Sequence, residues 1–279
     1  MAANDALIRA YDNQSEAIRR KVLLYVMTVW DSSTSYRTED IDRIVRQIVP
    51  AVQAGQLQMA ALTDAYIGQV AKASGVSWTP FVERRVLTYR GVDSGVVYRR
   101  PAVEVYTALA NGSSFADAVK HGATRLESLA STDMQQARNR QAASSVSKSG
   151  FTLFRRVLSG KEDCALCAIA STHTYSRGDL MPIHPGCDCG VEPLASPAEF
   201  QGASEVALRD IQSDIAGRLD HAAVDSGARD LGLGKTSSSG VPVSDYTDLI
   251  VSREHGEYGP TLSWRSQQFT SEADISALQ

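Results

Sequence analysis

The segment Asp163–Gly190, DCALCAIASTHTYSRGDLMPIHPGCDCG, holds all four cysteines of the chain. Cys164 and Cys167 stand as C-x-x-C, Cys187 and Cys189 as C-x-C, and His184 precedes the second pair in HPGCDC. Two such knuckles, nineteen residues apart, match the structural zinc arrangement in which each supplies two ligands to a tetrahedral ion. Thiolates at this spacing can both reach one metal at about 2.3 Å, while the intervening backbone offers N–H groups to the sulfurs. Little hydrophobic material separates the knuckles, so an ion that cross-links them replaces a missing core. Cys164, Cys167 and Cys187 are the leading ligands, and either Cys189 or His184 completes the four. A closed shell of four protein ligands leaves no position for water, which favours a structural over a catalytic zinc.

Other states of the same thiols stay open: four reduced, buried cysteines without metal, or one or two disulfides formed after release into an oxidising setting. A thioredoxin-like redox pair is disfavoured, because no βαβ pattern surrounds the C-x-x-C. Enzyme signatures are thin. No G-x-S-x-G marks a nucleophile elbow and no H-E-x-x-H marks a metalloprotease. Ser252 and His255 with Glu254 and Glu257, and His173 among hydroxyl residues, are short-range coincidences in a serine-rich chain. Cys187 with His184 could imitate a cysteine-protease pair, but the neighbouring thiols favour metal. GLGKTSS around Lys235 lacks the first glycine of a phosphate loop and reads as linker.

The elements around the cysteines read as follows. Apolar residues recur at helical spacing from Asp5 to Val29, and a second helix starts at Thr38 with Asp40 and Asp42 at its positive end. Pro50 predicts a kink or break, with a third helical piece from Leu57 to Ala73 stopped at Gly75. Residues 77–100 carry five arginines among aromatics and read as a connector; a protein-docking surface, or less readily a nucleic-acid contact, is the functional alternative. Pro101 opens a helix that ends at Gly112. Ser114 and Asp117 form a capping box for a long helix from Phe115 to about Ser147, expected to be scaffold with a charged outer face and divisible at Thr132 and Asp133. FTLFRRVLSG, from Phe151, fits a strand leading straight into the cysteines. Ala203–Val224 is again helical, Leu231–Gly240 is linker, and the last stretch has strand-like pieces around Gly259-Pro260.

The bulk numbers set bounds on this picture. At 279 residues, 43% hydrophobic and 22% charged, the chain has the composition of a globular protein with one large or two smaller domains. A net charge of −4 makes the whole molecule no attractor of nucleic acid or anionic lipid. The most apolar early run, KVLLYVMTVW, falls short of the roughly 18 residues that span a bilayer, and no small-residue cleavage site follows it. Maturation in a reducing cytoplasm is the expectation, and it tilts the cysteines towards metal.

The joined pattern of a short strand with a basic doublet, then EDCALC, then a loop, then HPGCDC resembles the phage Mu F-like family of head morphogenesis, or minor capsid, proteins. The likeness covers about Ser113 to Glu192 and is strongest from Phe151 onwards. Most members place arginine between the last two cysteines, where this chain has Asp188. The resemblance implies a minor virion protein of a tailed phage, assembled in the host bacterial cytoplasm and held inside the capsid. Its implied partners are the portal and the scaffold or major capsid protein, with possible contact to packaged DNA, no membrane in assembly, and a role in ejection. REHGEYGPTLSWRSQQFT is similar to the ending of actinobacterial-phage head proteins, some labelled capsid maturation protease, and processing of scaffold or head subunit is therefore the alternative activity. The expected fold class is mainly α with a small α+β zinc-closed module. It comprises a helical N-terminal domain (1–100), an F-like module with the Cys/His knuckle (101–200), a helix (201–230), a linker (231–240) and a small β-containing C-terminal tail (241–279).

Overall fold

The computed structural model describes residues 2–157, 170–171, 174–176, 189–196, 250–255 and 259–264. The protein is mainly helical, with a small three-stranded sheet. In chain order the elements are α1 (Ala2–Asp31), α2 (Thr38–Ser74), a 3-10 turn at Arg84–Leu87, α3 (Ser94–Val97), α4 (Arg100–Ala110), α5 (Phe115–Lys148), β1 (Leu153–Val157), β2 (Thr174–Ser176), β3 (Gly190–Leu194), β4 (Ile250–His255) and β5 (Gly259–Trp264). Two compact units result: residues 1–69 with 80–145, and residues 70–79 with 146–279. No helix among the described residues is long and apolar enough to cross a membrane.

The first unit is helical. Its core gathers Trp30 and Val26 of α1, Ile48 and Val52 of α2, and Leu126 and Leu129 of α5. α2 is one uninterrupted helix of 37 residues with Pro50 inside it, so the expected break and separate third piece do not occur. A proline inside a helix removes one N–H and crowds the preceding turn, at about 3 kcal/mol. Ile48 and Val52, each 1% exposed on either side of it, offset that cost by burial. The expected stop at Gly75 holds: its φ of +66° is a left-handed conformation open to glycine, and Val76 N–H closes back on Ala71 O at 2.9 Å. Pro101 sits in the first turn of α4. Asp117 N–H donates to Ser114 Oγ at 3.2 Å, and the Ser114 hydroxyl donates to the Asp117 carboxylate at 2.7 Å, which caps α5 as its sequence indicated.

α5 carries the expected charged outer face in its first half, where Asp117, Lys120 and Glu127 are exposed, and loses it in the second. It runs unbroken through Thr132 and Asp133, and no residue from Leu129 to Ser145 is exposed. Much of this wrapped stretch is polar: Thr132, Asp133, Gln135, Gln136, Asn139, Gln141 and Ser145 are all buried. Hydrogen bonds from the rest of the unit answer it. Gln141 accepts from Glu83 N–H at 2.7 Å and donates to Phe81 O at 2.6 Å, so it holds the connector as a second peptide would. Asp64 of α2 accepts from the Ser145 hydroxyl at 2.6 Å and from Phe81 N–H at 3.0 Å. Arg138 donates to the Tyr11 hydroxyl at 3.0 Å and to Asp12, which ties α5 to α1.

In the second unit β1 is the centre of an antiparallel sheet ordered β2-β1-β3. Val76 and Ser77 lie against the turn into β1: Gly150 N–H donates to Ser77 O at 2.9 Å. β4 and β5 form an antiparallel hairpin, in register from Ile250 opposite Trp264 to His255 opposite Gly259. The strand-like pieces expected near the end are thus present, with Gly259 and Pro260 beginning β5. The helix and linker expected at 203–224 and 231–240 lie outside the described residues.

Two outcomes test this packing. A Cβ on Gly122 would meet Trp30 Cζ2 at 2.6 Å, Val105 Cγ2 at 2.7 Å and the Pro101 carbonyl oxygen at 2.8 Å. Alanine adds up to about 1 kcal/mol of helix propensity, but overpacking costs about 1–3 kcal/mol, and the backbone carbonyl has no rotamer to escape into. Gly122→Ala should therefore lower the urea midpoint, and an unchanged or raised midpoint would contradict the close approach. Hydrogen bonds from Arg85 hold the Glu83 carboxyl down at about 2, below its ordinary 4.5. A depressed folded-state value gives stability that is complete above about pH 4.5 and lost as pH falls towards 2. Glu83→Gln should flatten the acid limb of stability across that window; parallel wild-type and variant profiles would refute the assignment.

Candidate functional site

The strand that leads into the cysteine segment carries Arg155 and Arg156 on successive, oppositely directed positions. Its aromatic and β-branched residues suit a pleated, covered sheet. Register then sorts the basic doublet. Arg155 is directly opposite Glu192 of β3, and its Nε donates to the Glu192 carboxylate at 2.6 Å, with Glu192 only 4% exposed. Arg156 is opposite Val191, so Cys189, two residues before Val191, is its diagonal neighbour on the same face. Arg156 is 2% exposed and donates an N–H to Cys189 Sγ at 3.7 Å.

The same face carries Phe154 and, on β2, Tyr175, with ring centroids 5.5 Å apart. The Tyr175 hydroxyl donates to Ala170 O at 2.7 Å. Burial pushes the Tyr175 phenol up to about 12, against the pull of the Arg156 charge, and Cys189 adds to the rise. Cys189 is therefore buried, with the Arg156 guanidinium as a donor to its sulfur.

Val157 and Gly190 are the last cross-strand pair of β1 and β3. Directly opposed residues in an antiparallel ladder lie about 5 Å apart. The interval 158–189, which contains every cysteine and His184, is thus clamped at both ends by the sheet, with Cys189 at the clamp. Of the five predicted ligands, Cys189 is described: it is buried and carries a thiol, not a disulfide. Cys164, Cys167, His184 and Cys187 lie outside the described residues, as does His173. Among the described residues no three His, Cys, Asp or Glu side chains converge. Ser252 and His255 both fall on β4, in register with Leu262 and Gly259.

Of the five arginines of the connector, Arg84, Arg85, Arg99 and Arg100 keep exposure, and Arg90 is buried. Arg85 pairs with Glu83 at 3.0 Å and Arg99 with Asp42 at 2.5 Å. Arg90 is buried against Asp133 of α5, with both side chains 6% exposed. Asp133 Oδ1 accepts from Arg90 at 2.7 and 3.0 Å and from the Tyr89 hydroxyl at 2.7 Å, while Oδ2 accepts from the Tyr98 hydroxyl at 2.7 Å. Burial, then the Asp133 charge, hold the Tyr98 phenol well above its usual range, so it remains a donor. A pocket beside this knot, lined by Gln56, Ser94 and Tyr98 among others, has room on the order of one water molecule. With both carboxylate oxygens occupied by donors, Asp133 acts as a tether and not as a base. Sequence reading missed this knot; Asp133, the one acidic residue of α5 beyond Glu127, together with a connector rich in arginine and tyrosine, was the available signal.

Comparison of the chain with protein-family models, with curated proteins and with solved structures finds no match.

Removing one partner of a buried ion pair costs about 3–5 kcal/mol, because the other charge is left uncompensated. Asp133→Ala should lose stability in that range, and Tyr98→Phe, which removes one hydrogen bond, only about 1–3 kcal/mol. Equal and small losses in chemical denaturation would show that the knot contributes little.

Proposed function

We propose that this chain is a minor head protein of a tailed bacteriophage, held at the portal inside the capsid, and that a structural zinc ion fastens its cysteine segment. The role is architectural: the helical unit supplies a framework, and metal fastens the cysteine segment. One observation carries the reading. β1 and β3 clamp the two ends of the interval that holds all four cysteines, and a buried arginine is directed at the sulfur that stands at the clamp. Strand, basic doublet and C-x-x-C to C-x-C order are the features on which the resemblance to the Mu F-like head proteins rests.

Cys164, Cys167 and Cys187, with Cys189 or His184, would hold the ion. When bound, the metal supplies cross-links that a short polar segment lacks, and its binding free energy becomes folding free energy. β1 positions the arginines, and β3 holds Cys189 at the edge of a covered sheet.

Purified protein should contain about one zinc per chain, retained through dialysis, and strong chelators should lower the unfolding temperature of the metal-loaded protein. Cys164→Ser or Cys167→Ser should abolish retention. Coexpressed portal should copurify with the chain, and immunolabelling of opened heads should place it at the portal vertex. Metal-free protein that neither binds portal nor enters heads would remove the reading entirely.

A further inference from the structure

We infer that the outer face of α1 is a self-association surface, on which a second copy of this chain packs its own α1 in the antiparallel sense. The inference goes beyond the proposed head-protein role and does not depend on it.

The run Val22–Trp30 puts apolar residues on every side of the helix it forms. A helix of that kind ordinarily has all its sides covered. Here Val22, Val26, Val29 and Trp30 enter the core on one side. On the other, Leu24 keeps 71% exposure, more than any other large apolar side chain among the described residues, and Tyr25 beside it keeps 44%. Thr28 donates its hydroxyl to Leu24 O at 2.7 Å, so its polar atom is spent on the helix's own backbone.

The charges around Leu24 indicate what covers it. Ala17, Arg20, Lys21, Leu24, Thr28 and Asp31 fall at i, i+3, i+4, i+7, i+11 and i+14, one stripe of an α-helix, and all six are exposed. Two cations precede Leu24 on this stripe and a carboxylate follows it. Arg20, with its side chain 74% exposed, lies 3.5 Å from Glu16, a carboxylate already held by Arg19 at 2.7 Å. A two-fold axis beside Leu24 sets Asp31 of each copy opposite Ala17 of the other, because each stands seven residues from Leu24. Arg20 and Lys21 are the i+3 and i+4 neighbours of Ala17, so they meet the incoming carboxylate. Parallel pairing would instead bring Arg20 and Lys21 of both copies together, and like charges across a contact are unfavourable. The face is thus complementary to itself in one direction, as a closed two-fold contact requires. A polyanion as occupant is disfavoured by Asp31 on the stripe and by the net charge of −4. A single helix face covers little area, which places the contact in the weak, reversible class.

Sedimentation velocity of the full-length chain across the micromolar range tests the inference. Wild type should pass reversibly from monomer to dimer as concentration rises. Leu24→Glu, which sets a charge at the centre of the contact, should raise the dissociation constant by about 10-fold or more. Asp31→Lys alone, and Arg20→Glu with Lys21→Glu, should each weaken association by setting like charges against one another. Combining all three charge changes inverts both ends of the stripe and should restore association to within about threefold of wild type. Every substituted side chain is exposed, and circular dichroism checks that each variant keeps its helices. A wild type that stays monomeric throughout overturns the inference, whether another segment of the chain, a different protein or water then covers Leu24. A dimer that Leu24→Glu leaves intact overturns it too, because the contact then lies elsewhere. A dimer weakened by Leu24→Glu but not restored by the combined charge changes overturns the antiparallel arrangement.

Discussion

A helix with no exposed residue from Leu129 to Ser145, and yet rich there in amide, hydroxyl and carboxylate groups, calls for partners for those groups, since an unmet one costs about 1–3 kcal/mol. α5 imposes that requirement on the first unit. The chain from Phe81 to Tyr98 follows the path it does because Gln141 takes its backbone at two points and Asp133 takes Arg90, Tyr89 and Tyr98. α1 and α2 are drawn in by the same helix, through Arg138 with Tyr11 and Asp12, and through Ser145 with Asp64. Apolar burial supplies most of the stabilisation, but it is non-directional. The polar seam is what makes one arrangement of these helices preferable to its neighbours in register and rotation.

The second unit solves a different problem with a different device. A three-stranded sheet of short strands has little apolar area to offer. Antiparallel pairing joins β1 to β3, and a cross-strand ion pair, Arg155 with Glu192, reinforces the join. On the other face Arg156 donates to the sulfur of buried Cys189, next to the first residue of β3.

Several features were legible in the residue order for local reasons. Helix starts at Thr38 and Pro101, stops at Gly75 and Gly112, the Ser114 cap and the strand at FTLFRR each depend on a few neighbouring residues, and each is found. Pro50 misled, because its local cost is overridden by the burial of Ile48 and Val52 around it. The compact units divide near residue 145, since α4 and α5 share a core with α1 and α2. The candidate site was legible as a set of residue types and spacings. What the spacing left open was which basic residue would serve which partner, because that depends on strand register between positions more than thirty residues apart.

By itself, then, the residue order determined the helical class, the caps, the strand before the cysteines and the crowding of five potential ligands into one segment, all of which are matters of short-range conformational preference and composition. Tertiary structure alone decided that Arg90 of the connector is buried against Asp133, that α5 is covered from Leu129 to Ser145, and that Arg155 and Arg156 part company across the sheet. The physical reason is common to all three. A charge can be buried only where a partner from elsewhere in the chain arrives at hydrogen-bonding distance, and no local pattern encodes that arrival.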